Sequence, residues 1–120
     1  MKQVLVVEDD QAIRETLKML LEVEGYSVVT ASDGAEGLKT LKGMEEPCLV
    51  LLDLMMPNMN GWEFIEAKRK DDHIATIPVL VTSAVSDRVD PAVVTGIIKK
   101  PIEIDVLLEF LKNFCRPNPS

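Results

Sequence analysis

Four short apolar runs, QVLVV (3–7), SVVTA (27–31), CLVLLD (48–53) and PVLVTS (78–83), alternate with longer stretches whose apolar residues recur at helical spacing. This alternation constrains the fold more than any other feature of the chain. Short continuous apolar runs read as strands buried on both faces, and the β-branched content of 27–31 strengthens that reading. The first intervening stretch, QAIRETLKMLLEVEG, puts Ile13, Leu17, Leu20 and Leu21 on one helical face and ends at Gly25. SDG turns the chain into a second helix, AEGLKTLKGM, and NGWEFIEAKRK reads as a third. GIIK (96–99) is a short fifth strand. EIDVLLEFLKNF closes the domain with Ile104, Leu107, Leu108, Leu111 and Phe114 along one face. Strands and helices alternating at such short intervals imply an α/β fold, a parallel sheet covered on both faces by right-handed crossovers.

The length of 120 residues suits one domain with one sheet. With 47% apolar and 28% charged residues the chain has the composition of a globular protein. A net charge of −7 and the lack of a basic stripe argue against direct nucleic-acid binding, which relies on clustered Lys and Arg. No stretch approaches the length needed to cross a bilayer, and MKQVLVVEDD is a poor signal peptide because acids cut its apolar run short. Cys48 and Cys115 lack metal-type spacing, so both are expected to be separate, reduced structural thiols in a cytosolic protein.

In a parallel sheet all strands end on one edge, and ligands bind outside those carboxyl ends. The residues there are unevenly distributed. The first strand is followed by Glu8, Asp9 and Asp10, the third ends in Asp53, the fourth in Thr82 and Ser83, and the fifth in Lys99 and then Lys100 before Pro101. The second offers only Ser32 and Asp33. Asp10 also suits the cap of the following helix. Carboxylates that converge at about 4 Å repel by roughly 4 kcal/mol per pair at an effective dielectric near 20. Such a group takes up protons or a cation, and an all-oxygen set suits Mg²⁺.

VLVVEDD with Arg14 beyond it, LLDLMMPNMNG, IPVLVTSA and KKP, in this order and spacing, resemble the receiver domain of bacterial two-component response regulators. The resemblance runs over about residues 2–115. It implies a flavodoxin-like, doubly wound five-stranded parallel sheet of order 2-1-3-4-5, with residues 1–115 as the receiver domain and 116–120 as a flexible tail. It further implies a cytoplasmic signalling protein, not a conventional enzyme, that takes a phosphoryl group from a histidine kinase or phosphotransfer protein and passes the signal to a downstream protein. Asp53 resembles the phosphoacceptor. Glu8 and Asp9 resemble the acidic pair that holds Mg²⁺, with Asp53 and the backbone carbonyl of Met55 as further ligands. Ser83, chosen over Thr82 by its distance from Pro78, resembles the hydroxyl that meets the phosphoryl group. Lys100, chosen over Lys99 by the Lys–Pro pair, resembles the lysine that pairs with it.

The chain departs from the family between Ser83 and Lys100, where a full fourth helix is usual. Asp90–Pro91 reads as an N-cap followed by a first helical residue, and Gly96 as a stop. A helix beginning at Asp87 would carry Pro91 in its interior at a cost of about 3 kcal/mol. The expectation is therefore a helix of little more than one turn, Pro91–Thr95, or none. Ile97 stands where the family commonly has a Tyr or Phe that swings between exposed and buried, so the usual output face is expected to respond weakly or to be replaced by another surface. Met55 and Val85 are apolar where polar side chains in the family orient the hydrolytic water, so slow self-dephosphorylation is expected.

Three other readings compete. A pseudo-receiver would act as a protein-interaction module without phosphorylation. An aspartate-nucleophile phosphohydrolase would need a second acid at position 55, where Met55 stands. A flavodoxin-like cofactor binder would need a Ser/Thr/Gly-rich loop after the first strand, and none is present. His73 reads as a solvated loop residue, Trp62 as a packing residue, KRK (68–70) as a solvated helix end and MEE (44–46) as an inert loop cluster.

Overall fold

In the computed structural model, residues 2–84 and 88–116 are described. The elements run β1 (Gln3–Val7), α1 (Gln11–Val23), β2 (Ser27–Ala31), α2 (Gly34–Gly43), β3 (Pro47–Asp53), α3 (Gly61–Arg69), β4 (Val79–Ser83), a 3₁₀ turn (Pro91–Val93), β5 (Gly96–Lys99) and α4 (Ile104–Leu111). The five strands form one sheet in the order β2-β1-β3-β4-β5, and every pairing is parallel. The fold is the one expected, down to the strand order and the reduced fourth helix.

Strand alternation divides the core in two. Val4, Val6, Leu49, Leu51, Leu80 and Ile98 pack against Leu17 and Leu21 of α1 and Leu107 and Leu111 of α4. Leu5, Val7, Val50, Leu52, Val79 and Val81 pack on the other face against Leu41 of α2 and Phe64 and Ile65 of α3. Ile13 and Leu20, expected on the buried stripe of α1, lie at its margin and are 41% and 37% exposed. A stripe at 3.6-residue period is wider than the contact one sheet offers, so its flanks stay wet. Gly25 ends α1 as expected, with φ at 92°, and the following Tyr26 N–H donates back to the Leu21 carbonyl.

The segment before β5 follows its sequence logic. Asp90 accepts a hydrogen bond from the Ala92 N–H at 2.9 Å, Pro91 opens the turn, and the helix ends after a single 3₁₀ turn at Val93. Gly96 does not act as a helix stop; it opens β5. A Cβ there would collide with the ring of Phe110 from α4, so glycine lets the last helix approach β5 closely.

Two further expectations are corrected. Lys68 is not part of a solvated helix end: it is buried, and its ammonium donates to the Ala75 carbonyl at 2.9 Å, closing the loop after α3. Burial pulls its pKa down. Arg69 and Lys70 do face solvent, both pairing with Glu66. Cys48 and Cys115 are not separate thiols but a disulfide with Cα atoms 5.6 Å apart. The pairing was hidden by a sequence separation of 67 residues. His73 is exposed, as expected. Val85, Asp87 and the tail from residue 117 onward lie outside the described residues.

Gly61 shows how tightly the chain turns after β3. Its N–H donates to the Leu54 carbonyl at 2.8 Å, and a Cβ would lie 2.7 Å from Leu54 Cα and 2.8 Å from the Asp53 carbonyl oxygen. Both are backbone atoms at the end of β3, which cannot yield as a flexible side chain would. Gly61→Ala is expected to lower stability by about 2 kcal/mol in urea unfolding, with an unchanged m-value. A change below about 0.5 kcal/mol would show that the turn opens freely.

Candidate functional site

The carboxyl ends of β1 and β3 bring three acids together. One carboxylate oxygen each from Glu8, Asp9 and Asp53 lies within 4.8 Å of the others. Glu8 and Asp53 are buried, at 4% exposure each, and Asp9 is exposed. Removal from water is the first cause of the shift in Glu8, followed by hydrogen bonding to the Asp53 and Asp9 carboxylates and repulsion by Asp53; together they push its pKa up to about 8. The Asp10 N–H donates to Glu8 Oε2 at 3.3 Å and opposes the shift.

Lys100 meets this cluster from the position just after β5. Its Nζ lies 2.8 Å from Asp53 Oδ1, and its backbone N–H donates to the Ser83 carbonyl at 2.8 Å. Ser83 is buried at the last position of β4. The Thr82 hydroxyl makes a long, 3.5 Å contact with the Leu52 carbonyl. Met55 follows Asp53 with its side chain 62% exposed. The bond between Lys100 and Pro101 is cis.

The surrounding loops are braced by contacts that residue patterns reveal only in part. Asp10 caps α1 through the Ile13 N–H at 3.0 Å, the structural role foreseen for it. The Arg14 guanidinium donates to the Glu8 carbonyl at 2.8 Å and the Asp9 carbonyl at 3.4 Å, fixing the backbone from which both acids project. The loop after Asp53 is tied to the loop after β2. Asn58, at φ 65°, donates to Asp33 at 3.1 Å, and the Gly34 N–H donates to the Met59 carbonyl at 3.1 Å. A side chain at Gly34 would place its Cβ 2.5 Å from that carbonyl oxygen. The indole N–H of Trp62 donates to the Arg88 carbonyl at 2.7 Å, so α3 holds the stretch leading to the 3₁₀ turn. The Asp33–Gly34 pair and the Asn58 turn signal were readable as local structure; that they meet was not, because the partners lie 25 residues apart.

The sequence model of the response regulator receiver domain family matches residues 4–112. This chain belongs to the response regulator receiver domain family. The receiver is 42% identical over 88 residues to the probable transcriptional regulator ycf27 of Cyanophora paradoxa, covering 73% of this chain and 36% of that protein. The chain spans about a third to a half of the length of the curated relatives it matches. Among solved structures, it superposes on the response regulator receiver protein from Pseudomonas putida with a TM-score of 0.84 at 29% identity, covering 93% of this chain and 96% of the other. Chemotaxis protein CheY4 of Vibrio cholerae gives 0.81 at 31% identity, covering 95% and 98%.

The donor set of the receiver fits a divalent cation. Three carboxylates converge, two of them buried, and at neutral pH Glu8 keeps a proton that a cation would displace. Among the described residues no helix is long and apolar enough to cross a membrane.

Proposed function

We propose that this receiver is a phosphorylation switch in which Asp53 takes a phosphoryl group, with Mg²⁺ held by Glu8, Asp9, Asp53 and the Met55 carbonyl. The observation that carries this reading is the position of Asp53. It is a buried strand-end carboxylate with two further acids on one side and a lysine ammonium at 2.8 Å on the other. A carboxylate oxygen of Asp53 attacks phosphorus, and the bond from phosphorus to the donor breaks with its electrons going to the donor atom. The donor is a histidine kinase or a phosphotransfer protein, whose phosphohistidine supplies that bond. A bound Mg²⁺ would neutralise charge on the phosphoryl oxygens. The acyl phosphate brings about −1.5 to −2 charge to this edge at neutral pH. Lys100 is already at the acceptor and would exchange its contact with Asp53 for one with the phosphoryl oxygens. Ser83, tied through its carbonyl to the Lys100 N–H, would supply a hydroxyl and draw the ends of β4 and β5 toward the new charge.

We assign residues 1–115 to the receiver and place its action in the cytoplasm, with a protein as its output partner. Ile97, 37% exposed on β5, carries no ring to swing, which supports an output that does not depend on an aromatic flip. The reduction of the fourth helix to one 3₁₀ turn favours the second reading, an interaction module that is never phosphorylated. Incubation with acetyl phosphate and Mg²⁺ separates the two by intact mass. A gain of one phosphoryl group supports the switch, and no gain at any donor concentration supports the module.

A phosphorylated receiver is expected to lose its label slowly. Hydrolysis is helped by a polar group that orients water, and Met55 offers none. Met55→Asn should speed the decay at least about tenfold. Rapid decay in the unaltered protein, insensitive to polar residues at 55 or 85, would contradict this.

A further inference from the structure

We propose that Cys48 and Cys115 form a thiol–disulfide exchange site whose redox state sets how firmly α4 is held on the sheet. The inference goes beyond phosphorylation and uses none of its residues.

The first observation is a break in strand register. Gln3 pairs with Pro47, but Val4 pairs with Leu49, so Cys48 is an extra residue in β3. Regular alternation would put Cys48 on the face of Val50 and Leu52, under α2 and α3. The bulge re-aims it onto the face of Leu49 and Leu51, under α1 and α4. The second observation is how Cys115 reaches it. After α4 ends at Leu111 the chain keeps winding, and the Cys115 N–H donates to the Leu111 carbonyl at 2.7 Å. Both cysteines are buried in the same apolar cluster. A local irregularity on one element and an extra turn on another thus converge on one covalent bond.

The bond joins a short terminal helix to the central sheet. α4 has eight residues and no side-chain hydrogen bond at its N-cap, Glu103. A helix this short does not persist without tertiary contacts. Its hold rests on Leu107 and Leu111 in the core, on Ile104, Leu108, Phe110 and Phe114 packed against that core, and on the bridge just beyond its C-terminal end. Opening the turn from Lys112 to Cys115 exposes the bridge without disturbing the sheet, as helix ends open at low free-energy cost. In a compartment where glutathione keeps thiols reduced, disulfides are usually transient and redox-sensing.

The reductant is a dithiol. Its thiolate attacks Cys115 Sγ, the S–S electron pair leaves on Cys48 Sγ, and that sulfur takes a proton. The second thiol of the reductant then attacks its own sulfur in the mixed disulfide, and Cys115 leaves as a thiolate and is protonated. Two electrons and two protons pass to the pair. A disulfide such as oxidised glutathione drives the reverse.

The test uses the 120-residue chain, equilibrated in mixtures of reduced and oxidised dithiothreitol, alkylated in denaturant and weighed intact. Both thiols should convert together with one midpoint. Reduction should lower the melting temperature by about 10 °C. It should speed amide exchange across 104–115 by at least about tenfold while leaving β1 and β3 unchanged. Cys115→Ser should behave as the reduced form; if it does not fold, the alkylation series on the unaltered chain still decides. Two thiols free at every poise would overturn the proposal, as would a bridge that survives excess dithiothreitol under native conditions, or equal protection of α4 in both forms. No phosphoryl donor is present, so failure here leaves the reading of Asp53 intact.

Discussion

Asp53→Asn is expected to abolish phosphoryl uptake from acetyl phosphate and to weaken Mg²⁺ binding at least about tenfold. The first effect follows from chemistry, since an amide oxygen is too poor a nucleophile to leave an acyl phosphate. The second follows from the loss of one of three converging carboxylates. The same change removes the charge that repels Glu8 and the partner that Lys100 meets at 2.8 Å. Glu8 should therefore ionise at lower pH in the variant, as a carboxyl carbon resonance would report. Intact mass after incubation reads the first effect, and a Mg²⁺ titration the second. A variant that still gains a phosphoryl group would move the acceptor elsewhere and undo the functional reading.

Without Mg²⁺, the receiver should lose stability as pH rises from about 4.5 to about 8. Glu8 titrates near 4.5 when unfolded and at about 8 in the fold. Between those values the folded state binds the extra proton, so stability is fully present below 4.5 and is lost as pH climbs through 8. The contribution is on the order of 3 kcal/mol, less than the full shift implies because the exposed Asp9 keeps one side of the cluster in water. Saturating Mg²⁺ should displace the proton, so its apparent affinity rises with pH up to about 8 and the fall in stability is offset. Glu8→Gln should flatten the metal-free profile. Melting curves at pH 5 and 8.5, with and without Mg²⁺, are the measurement. A metal-free protein that gains stability over this range would refute the assignment.

The strands were legible because a parallel sheet buries both faces, which forces continuous apolar runs such as CLVLLD. The truncated segment before β5 was legible because Asp90 and Pro91 act on their own backbone; Gly96, read as a stop, instead serves a contact with distant Phe110. The acids were legible as a group because the ends of parallel strands share an edge. What stayed hidden depends on contacts between distant residues. Lys68 sits in a run of three basic residues, and only the fold shows that one of them turns inward to a carbonyl seven residues on. The cysteine pair needs a one-residue bulge, which leaves no mark in composition or periodicity. Arg14 and Trp62 brace backbone carbonyls, and a carbonyl acceptor has no residue type to search for.

Trp62 is the only tryptophan in the chain, and its indole, 37% exposed, is anchored to the stretch that precedes the 3₁₀ turn. Excited beyond the absorption band of Tyr26, the unlabelled protein therefore emits from one fluorophore tethered between α3 and that stretch. Any rearrangement that breaks the tether changes the polarity around a single ring, so a stopped-flow trace resolves the conformational step in time without an attached dye.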